Sequence, residues 1–283
     1  MLNILIVVVL GAAVSVAGGL TGAYVAGVPV MVICAALAFA IQWVAFVPAF
    51  LKQTERFYDL VGSLTYLSVT GLAVYLTPEQ SIRSALIAVC IGVWTMRLGS
   101  FLVRRISQDG SDSRFDKIKP NPVRFLFTWS LQGLWVVMTA ACGWAAITSG
   151  STAPFGVAGV VGIVIWICGF AIEVMADRQK RVHRAQYGSG TFITTGLWRY
   201  SRHPNYFGEI VLWSGIAVMA LPALQGWAWA TLISPLFVFV LLTRISGIPM
   251  LQAKGKKRWG ENPEYQAYLN ATPVLVPFLG RKG

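Results

Sequence analysis

The amino-acid sequence predicts an all-α, polytopic integral membrane protein with about seven to eight transmembrane helices in one bundle. Three observations lead to this prediction. Of the 283 residues 56% are hydrophobic and only 12% are charged, and no charged residue precedes Lys52. Several uninterrupted apolar runs also reach the roughly 20 residues that a helix needs to cross a bilayer. Segments that face lipid must satisfy their own backbone hydrogen bonds, so these runs should be helices.

We predict eight spans, and each follows from an apolar run bounded by polar or turn-forming residues. They are residues 3–18, 28–50, 58–76, 82–103, 125–148, 155–175, 205–221 and 226–246. The first has no basic stretch before it, so we interpret it as a retained helix and not as a cleaved secretory signal. The simplest partition is a single membrane domain, residues 1–283. Within it, 1–105 would form the substrate cavity, 106–124 a cytoplasmic loop and 125–283 the cofactor-binding core.

The basic residues indicate membrane topology. Of the 23 Lys and Arg residues, 21 follow an even-numbered span. By the positive-inside rule both termini are then cytoplasmic, as expected for a protein of the bacterial inner membrane. This placement favours membrane lipids and a lipophilic small molecule as partners over nucleic acid.

Several common sites are not predicted. The four cysteines stand singly inside apolar runs, and the two histidines form no metal-binding motif, so we predict no metal site. A GxGxxG loop and a Walker loop are also lacking in the sequence. Any nucleotide must therefore be held by membrane helices and their cytoplasmic loops.

A polar stripe follows the sixth span. Glu173, Asp177, Arg181 and Arg184 are spaced by four, four and three residues, which places them on one face of a helix that leaves the membrane. One interpretation is a set of surface ion pairs, each contributing under about 1 kcal/mol. The other is a wall for an anionic, hydrogen-bonding ligand.

The segment from Ser201 to Glu209 starts the seventh span. Pro204 suits the first turn of a helix, and a helix N-terminus that carries Arg202 and His203 is a natural anion site. Asn205 and Glu209 are spaced i and i+4, so they share a face. Alternatively, Glu209 has a structural role and pairs with an arginine; Arg97, in the middle of the fourth span, is the obvious partner.

These residues resemble a known family. The run Gly169–Gly215, with the sequence from Gly196 to Glu209 and Trp213, looks like the C-terminal core of the steroid 5-alpha-reductase superfamily. The tail from Thr243 to Pro249, followed by Lys257 to Gly260, Tyr265 and Tyr268, is similar to the superfamily's bacterial branch of uncharacterised membrane proteins. The resemblance implies an NADPH-dependent reductase in lipid metabolism. Its hydride would go to the C=C bond of a lipophilic enone, either steroid-like or an enoyl lipid.

The resemblance also implies site residues. Those expected to bind NADPH are Glu173, Asp177, Arg181, Arg184, Arg202, His203, Asn205, Tyr206, Glu209, Arg244, Tyr265 and Tyr268. Glu55 and Tyr58 are the catalytic candidates, since a glutamate and a tyrosine near the N-terminal spans polarise the substrate carbonyl in the family. Trp94 stands where that tyrosine is expected, so either Tyr58 or Tyr66 replaces it or the chemistry differs.

The main alternative is an S-adenosylmethionine-dependent lipid or isoprenylcysteine-type methyltransferase. These enzymes share the element Arg202-His203-Pro204-Asn205-Tyr206, but they usually carry paired glutamates in the tail, where this chain has Leu251-Gln252. The basic stripe also suits a pyrophosphate better than a sulfonium. A transporter is less favoured, because the charges cluster at one membrane face and not at the midplane.

Overall fold

The fold is all-α, as the sequence predicts. A computed structural model describes residues 1–109, 112–188 and 190–279. Its α-helices are α1 Leu2–Gly19, α2 Val30–Leu51, α3 Tyr58–Leu76, α4 Ile82–Asp109, α5 Pro122–Thr148, α6 Gly156–Tyr187, α7 Pro204–Ala220, α8 Ile233–Val240, α9 Gly247–Trp259 and α10 Pro263–Ala271. In this part of the chain, eight helical stretches are long and apolar enough to cross a membrane, which confirms the predicted spans.

Shorter elements connect the helices. A two-residue turn, Ala26-Gly27, joins β1 Tyr24–Val25 to β2 Val28–Pro29; both turn residues have positive φ, at 50° and 79°, as the tightest hairpin turn requires. Four short segments are 3₁₀ helices: Ser113–Phe115, Gly196–Arg199, Leu221–Ala223 and Gly226–Leu232. Gly110 and Ser111, in the predicted loop 106–124, lie outside the described residues.

Two spans differ in detail from the prediction. The sixth extends as a continuous helix to Tyr187, so the polar stripe is helical, as its spacing predicts. The eighth is composite, because 3₁₀ turns, α8 and a π-helical segment, Leu241–Ile245, follow one another before α9. Hydropathy alone cannot distinguish these helix types, because they differ in their backbone hydrogen-bond pattern and not in how apolar their side chains are.

The chain forms two compact units. The first contains Met1–Val160 and Ile216–Ser234 and has α5 at its centre, packed against α1, α2, α3 and α4. Arg83, at the start of α4, is 1% exposed and donates to the carbonyls of Met219, at 2.6 Å, and Pro154. A buried guanidinium thus satisfies carbonyls at the end of α7 and before α6.

The second unit contains Val161–Gly215 and Pro235–Gly283. In it, α6 and the first part of α7 cross with their backbones in contact. A Cβ atom added to Gly208 would lie 2.6 Å from the backbone nitrogen of Glu173, and one added to Gly215 would lie 2.6 Å from that of Trp166. Such small-residue crossings let membrane helices approach closely, because lipid provides no hydrophobic force between them. The single-domain partition of the sequence stays a prediction.

Candidate functional site

The second unit contains a cavity of about 400 Å³. Its walls come from the end of α6, the segment between α6 and α7, α9 and α10. The lining residues are Lys180, His183, Arg184, Gly188, Thr191, Phe192, Ile193, Trp198, Arg202, His203, Leu251, Gln252, Lys254, Gly255, Arg258, Trp259, Tyr265, Tyr268 and Leu269. A concave site that combines apolar walls with a few polar groups is the usual form of a small-molecule site.

The cavity is strongly basic. Its lining includes Lys180, Arg184, Arg202, Lys254 and Arg258, and no carboxylate stands among the described residues that line it. Lysine and arginine side chains have hydrogen-bond donors and no acceptor. The cavity therefore suits a ligand with several negative charges.

Arg202, one of these cations, is partly buried. Its backbone N–H donates to the carbonyl of Pro273 at 2.9 Å, which fixes the segment before α7 to the C-terminal tail. The Nε atom is buried and has no hydrogen-bond partner. Burial lowers the pKa of the guanidinium, although nearby Tyr268 and Tyr265 oppose the shift. A partly desolvated cation with an unused donor is stabilised by an anionic partner.

His203 is a second lining residue with a buried polar atom that has no partner. It is 8% exposed, and its ring stacks on that of Tyr206, with centroids 5.7 Å apart and an interplanar angle of 15°. Its Nδ1 atom is buried without a partner. Burial, and then the charges of Lys180 and Arg202, lower the pKa of His203 to about 3. The imidazole is therefore neutral at pH 7.

Aromatic rings form the remaining wall. The ring of Phe192 lies 5.0 Å from that of Tyr265 and 5.6 Å from that of Trp259, whose indole N–H donates to the carbonyl of Gly190 at 2.7 Å. The hydroxyl of Tyr268 donates to the carbonyl of Trp198 at 2.8 Å. Burial raises the pKa of Tyr268, so this hydroxyl stays protonated. Packed flat rings can bind a flat ring of a ligand.

The structure brings together five of the predicted cofactor residues, since Arg184, Arg202, His203, Tyr265 and Tyr268 line the cavity. The others are not among its lining residues. Glu173 and Asp177 are buried, Asn205, Tyr206 and Glu209 are half-buried on the first turns of α7, and Arg181 and Arg244 are exposed. The binding role of each stays a prediction.

Sequence reasoning missed part of the basic wall. Leu251, Lys254, Gly255 and Arg258 line the cavity from α9. Their spacing of three and four residues is that of one helical face, so a helical periodicity over 247–259 could have found them. A side chain at Gly255 would collide with the hydroxyl of Tyr265, so α9 and α10 also require a small residue there.

Glu55, a predicted catalytic residue, lies in the first unit between α2 and α3. Its carboxylate accepts hydrogen bonds from Nζ of Lys119 at 2.6 Å and from the backbone N–H of Asp112 at 2.8 Å. Burial raises the pKa of Glu55, but these two hydrogen bonds outweigh it, and the net pKa is lower than usual. In this arrangement Glu55 is ionised at pH 7 and anchors the segment between α4 and α5. Its catalytic role stays a prediction.

Tyr58, the second catalytic candidate, starts α3. Its hydroxyl donates to the carbonyl of Thr128 at 3.0 Å, and its ring lies 5.0 Å from that of Trp129. Tyr66, the alternative, meets the ring of Trp94 edge to face at 5.3 Å. Tyr66 therefore contacts Trp94, the residue at the position where the family has a tyrosine.

Comparisons with known proteins agree with the resemblance. A family model described as protein of unknown function DUF1295 matches residues 45–272. The chain is 32% identical over 122 residues to 3-oxo-5-alpha-steroid 4-dehydrogenase 1 of Bos taurus, covering 42% of each chain. It is 29% identical over 121 residues to the steroid 5-alpha-reductase DET2 of Arabidopsis thaliana, covering 42% of this chain and 41% of that protein.

The matched region is thus about two fifths of the length of these curated relatives. No solved structure gives a significant match. Because the family model covers most of the chain, this integral membrane protein belongs to the DUF1295 family, within the steroid 5-alpha-reductase superfamily.

Proposed function

We propose that this protein is a membrane-embedded oxidoreductase that uses NADPH to reduce the C=C bond of a lipophilic enone, either steroid-like or an enoyl lipid. The observation that carries the proposal is the cavity of the second unit, where Arg202 and four other cations lie beside aromatic rings and the described lining contains no carboxylate. A ligand that matches both features has several negative charges and a flat ring, as a phosphorylated dinucleotide has.

The same charge pattern argues against S-adenosylmethionine. Its sulfonium and ammonium groups are positive and would be repelled by the lysine and arginine side chains of the lining. No carboxylate among the described lining residues would attract these two groups. NADPH carries a pyrophosphate and a further phosphate on the adenine ribose, so more cations than a pyrophosphate needs should favour NADPH over NADH.

The topology is consistent with a cytoplasmic cofactor. The cavity is lined by residues within 180–203 and 251–269, which come after the sixth and eighth spans predicted from the sequence, 155–175 and 226–246, and should therefore lie on one membrane side. We propose that this side is the cytoplasm and that the protein resides in a bacterial inner membrane with both termini inside. The basic residues at the ends of these spans support this orientation.

The reduction places a chemical demand on the protein. As hydride reaches the β carbon of an enone, negative charge builds up on the carbonyl oxygen, and a donor must lie within about 3.2 Å of that oxygen. Glu55 and Tyr58 remain the proposed groups for this step. Glu55 can act as an acid only after it gains a proton and exchanges Lys119 for another partner, because its present hydrogen bonds stabilise the charged form.

Ligand-dependent thermal unfolding of the purified protein in detergent tests the proposal. A ligand at 100 times its dissociation constant adds about 2.7 kcal/mol of stability. NADPH should stabilise the protein more strongly than NADH, and S-adenosylmethionine should have no effect. Stabilisation by S-adenosylmethionine and not by NADPH would overturn the proposal.

A pair of variants tests the site itself. Arg184→Ala should weaken NADPH binding by about tenfold and NADH binding less, because it removes a cation that lines the cavity. Arg178→Ala is the matched control, since Arg178 lies on the same helix, is exposed and is not a lining residue. Equal losses in the two variants would place the phosphates elsewhere.

A further inference from the structure

Both histidines of the chain line the same cavity, but they differ in their partners. The Nε2 atom of His183 shares a hydrogen bond of 3.1 Å with the hydroxyl of Thr191. His203 is more deeply buried, and its Nδ1 atom has no partner. An unused buried polar atom beside a cavity indicates a contact that a ligand completes.

The position of His203 is fixed by its surroundings. Its backbone N–H donates to the hydroxyl of Ser201 at 3.1 Å, and that hydroxyl donates to the carbonyl of Leu275 at 2.6 Å. The stacked ring of Tyr206 then limits rotation of the imidazole. His203 is therefore held in place before any ligand binds.

The chemistry of the cavity gives His203 a distinct task. The five cations of the lining can donate hydrogen bonds but cannot accept them. Hydroxyl and amide groups of the lining can also accept, but among the described lining residues the Nδ1 atom of His203 is the one acceptor that is buried without a partner. A neutral imidazole offers one acceptor nitrogen, which a hydroxyl group of a ligand needs and a phosphate group does not. The preceding residue, Arg202, supplies the charge for a neighbouring phosphate.

We propose that His203 is a specificity-determining residue whose ring nitrogen accepts a hydrogen bond from a sugar hydroxyl of the ligand, next to a phosphate bound by Arg202. This inference rests on the proposed nucleotide site and adds to it. It differs from the expectation that His203 binds the anion. The site then distinguishes a phosphorylated sugar from an inorganic anion of similar charge.

The experiment measures the affinities of NADPH, ADP-ribose and inorganic pyrophosphate for the full-length protein in detergent by titration calorimetry. His203→Phe keeps a flat ring against Tyr206 and removes both nitrogens. It should weaken NADPH and ADP-ribose by about tenfold and change pyrophosphate by less than twofold, the loss expected for one hydrogen bond. His203→Asn, which retains an acceptor, should recover part of the affinity. Tyr200→Phe, at an aromatic residue that does not line the cavity, is the control and should change none of the three by more than twofold.

Each other outcome has a definite meaning. Equal weakening of all three ligands by His203→Phe, or no weakening, overturns the inference. The proposed function still stands in that case if the wild type binds NADPH. Binding of ADP-ribose without NADPH by the wild type overturns the proposed reductase, and the inference is then decided on ADP-ribose. Binding of pyrophosphate alone, or of no ligand, overturns both. The unfolding temperature of each ligand-free variant shows whether it is folded.

Discussion

Replacing Gly208 by alanine should separate α6 from α7. An added Cβ would lie 2.6 Å from both the nitrogen of Glu173 and the carbonyl oxygen of Gly169, whereas ordinary contact begins at 3.4 Å, so the helices must move apart by about 0.8 Å. Both neighbours are backbone atoms and cannot rotate away. Overpacking of this kind costs about 1–3 kcal/mol, and the better helix propensity of alanine offsets about 0.5–1 kcal/mol.

The net effect should be a loss of about 0.5–2 kcal/mol, or a fall of roughly 1–8 °C in unfolding temperature. Affinity for NADPH should fall as well, because Gly208 lies one turn after Pro204 and its displacement moves Arg202 relative to α6. Gly92→Ala is the matched control: it is also inside a membrane helix, an added Cβ there meets nothing within 4 Å, and it should stabilise the protein slightly. If Gly208→Ala were as stable as Gly92→Ala in detergent, the crossing would not be tight and the reasoning would fail.

Three further predictions concern the first unit. Arg83→Met should lower the free energy of unfolding by about 2–4 kcal/mol in chemical denaturation, because the carbonyls of Met219 and Pro154 lose a buried donor; Arg83→Lys should restore only part, and an unchanged midpoint would contradict the role of the guanidinium. Lys119→Met should cost on the order of 3 kcal/mol, because it leaves the buried carboxylate of Glu55 without its cationic partner, whereas a loss below about 0.5 kcal/mol would mean that the pair does not anchor its segment. The folded pKa of Glu55 lies below its unfolded value of about 4.3, so its contribution is present above that pH and is lost as the pH falls through the folded pKa. Glu55→Gln should therefore be less stable than the wild type at pH 7, and pH-dependent denaturation should show the difference shrinking as the pH falls below about 4.

The membrane fold was predictable because it depends on local properties of the chain. Length and apolar composition indicate each of the eight spans, and the spacing of Glu173, Asp177, Arg181 and Arg184 indicates that the sixth helix continues beyond the membrane. A shared helical face does not say what lies opposite it. Asp177 is buried, whereas Arg181, one turn later in the same helix, is exposed. Arg184, two turns after Asp177, lines the cavity.

The basic wall from α9 was overlooked for a different reason. Lys254 and Arg258 follow the eighth span and so contribute to the charge bias that indicates topology, and that bias treats basic residues of one membrane side as equivalent. Their helical spacing distinguishes them from Lys256 and Lys257, which do not line the cavity. Charge that orients a membrane protein and charge that binds a ligand can thus come from the same segment.

Glu55 shows what local pattern cannot supply. Its partner Lys119 lies 64 residues away, and only the tertiary structure brings the two side chains together. The hydrogen bonds from Lys119 and Asp112 lower the pKa of the carboxyl group, whereas an acid that must deliver a proton near pH 7 needs a raised pKa. A catalytic role for Glu55 therefore requires that substrate binding displace Lys119, and removing Lys119 should then ease protonation of Glu55 instead of abolishing turnover. If Glu55 only anchors its segment, Glu55→Gln and Lys119→Met should each lose activity together with stability.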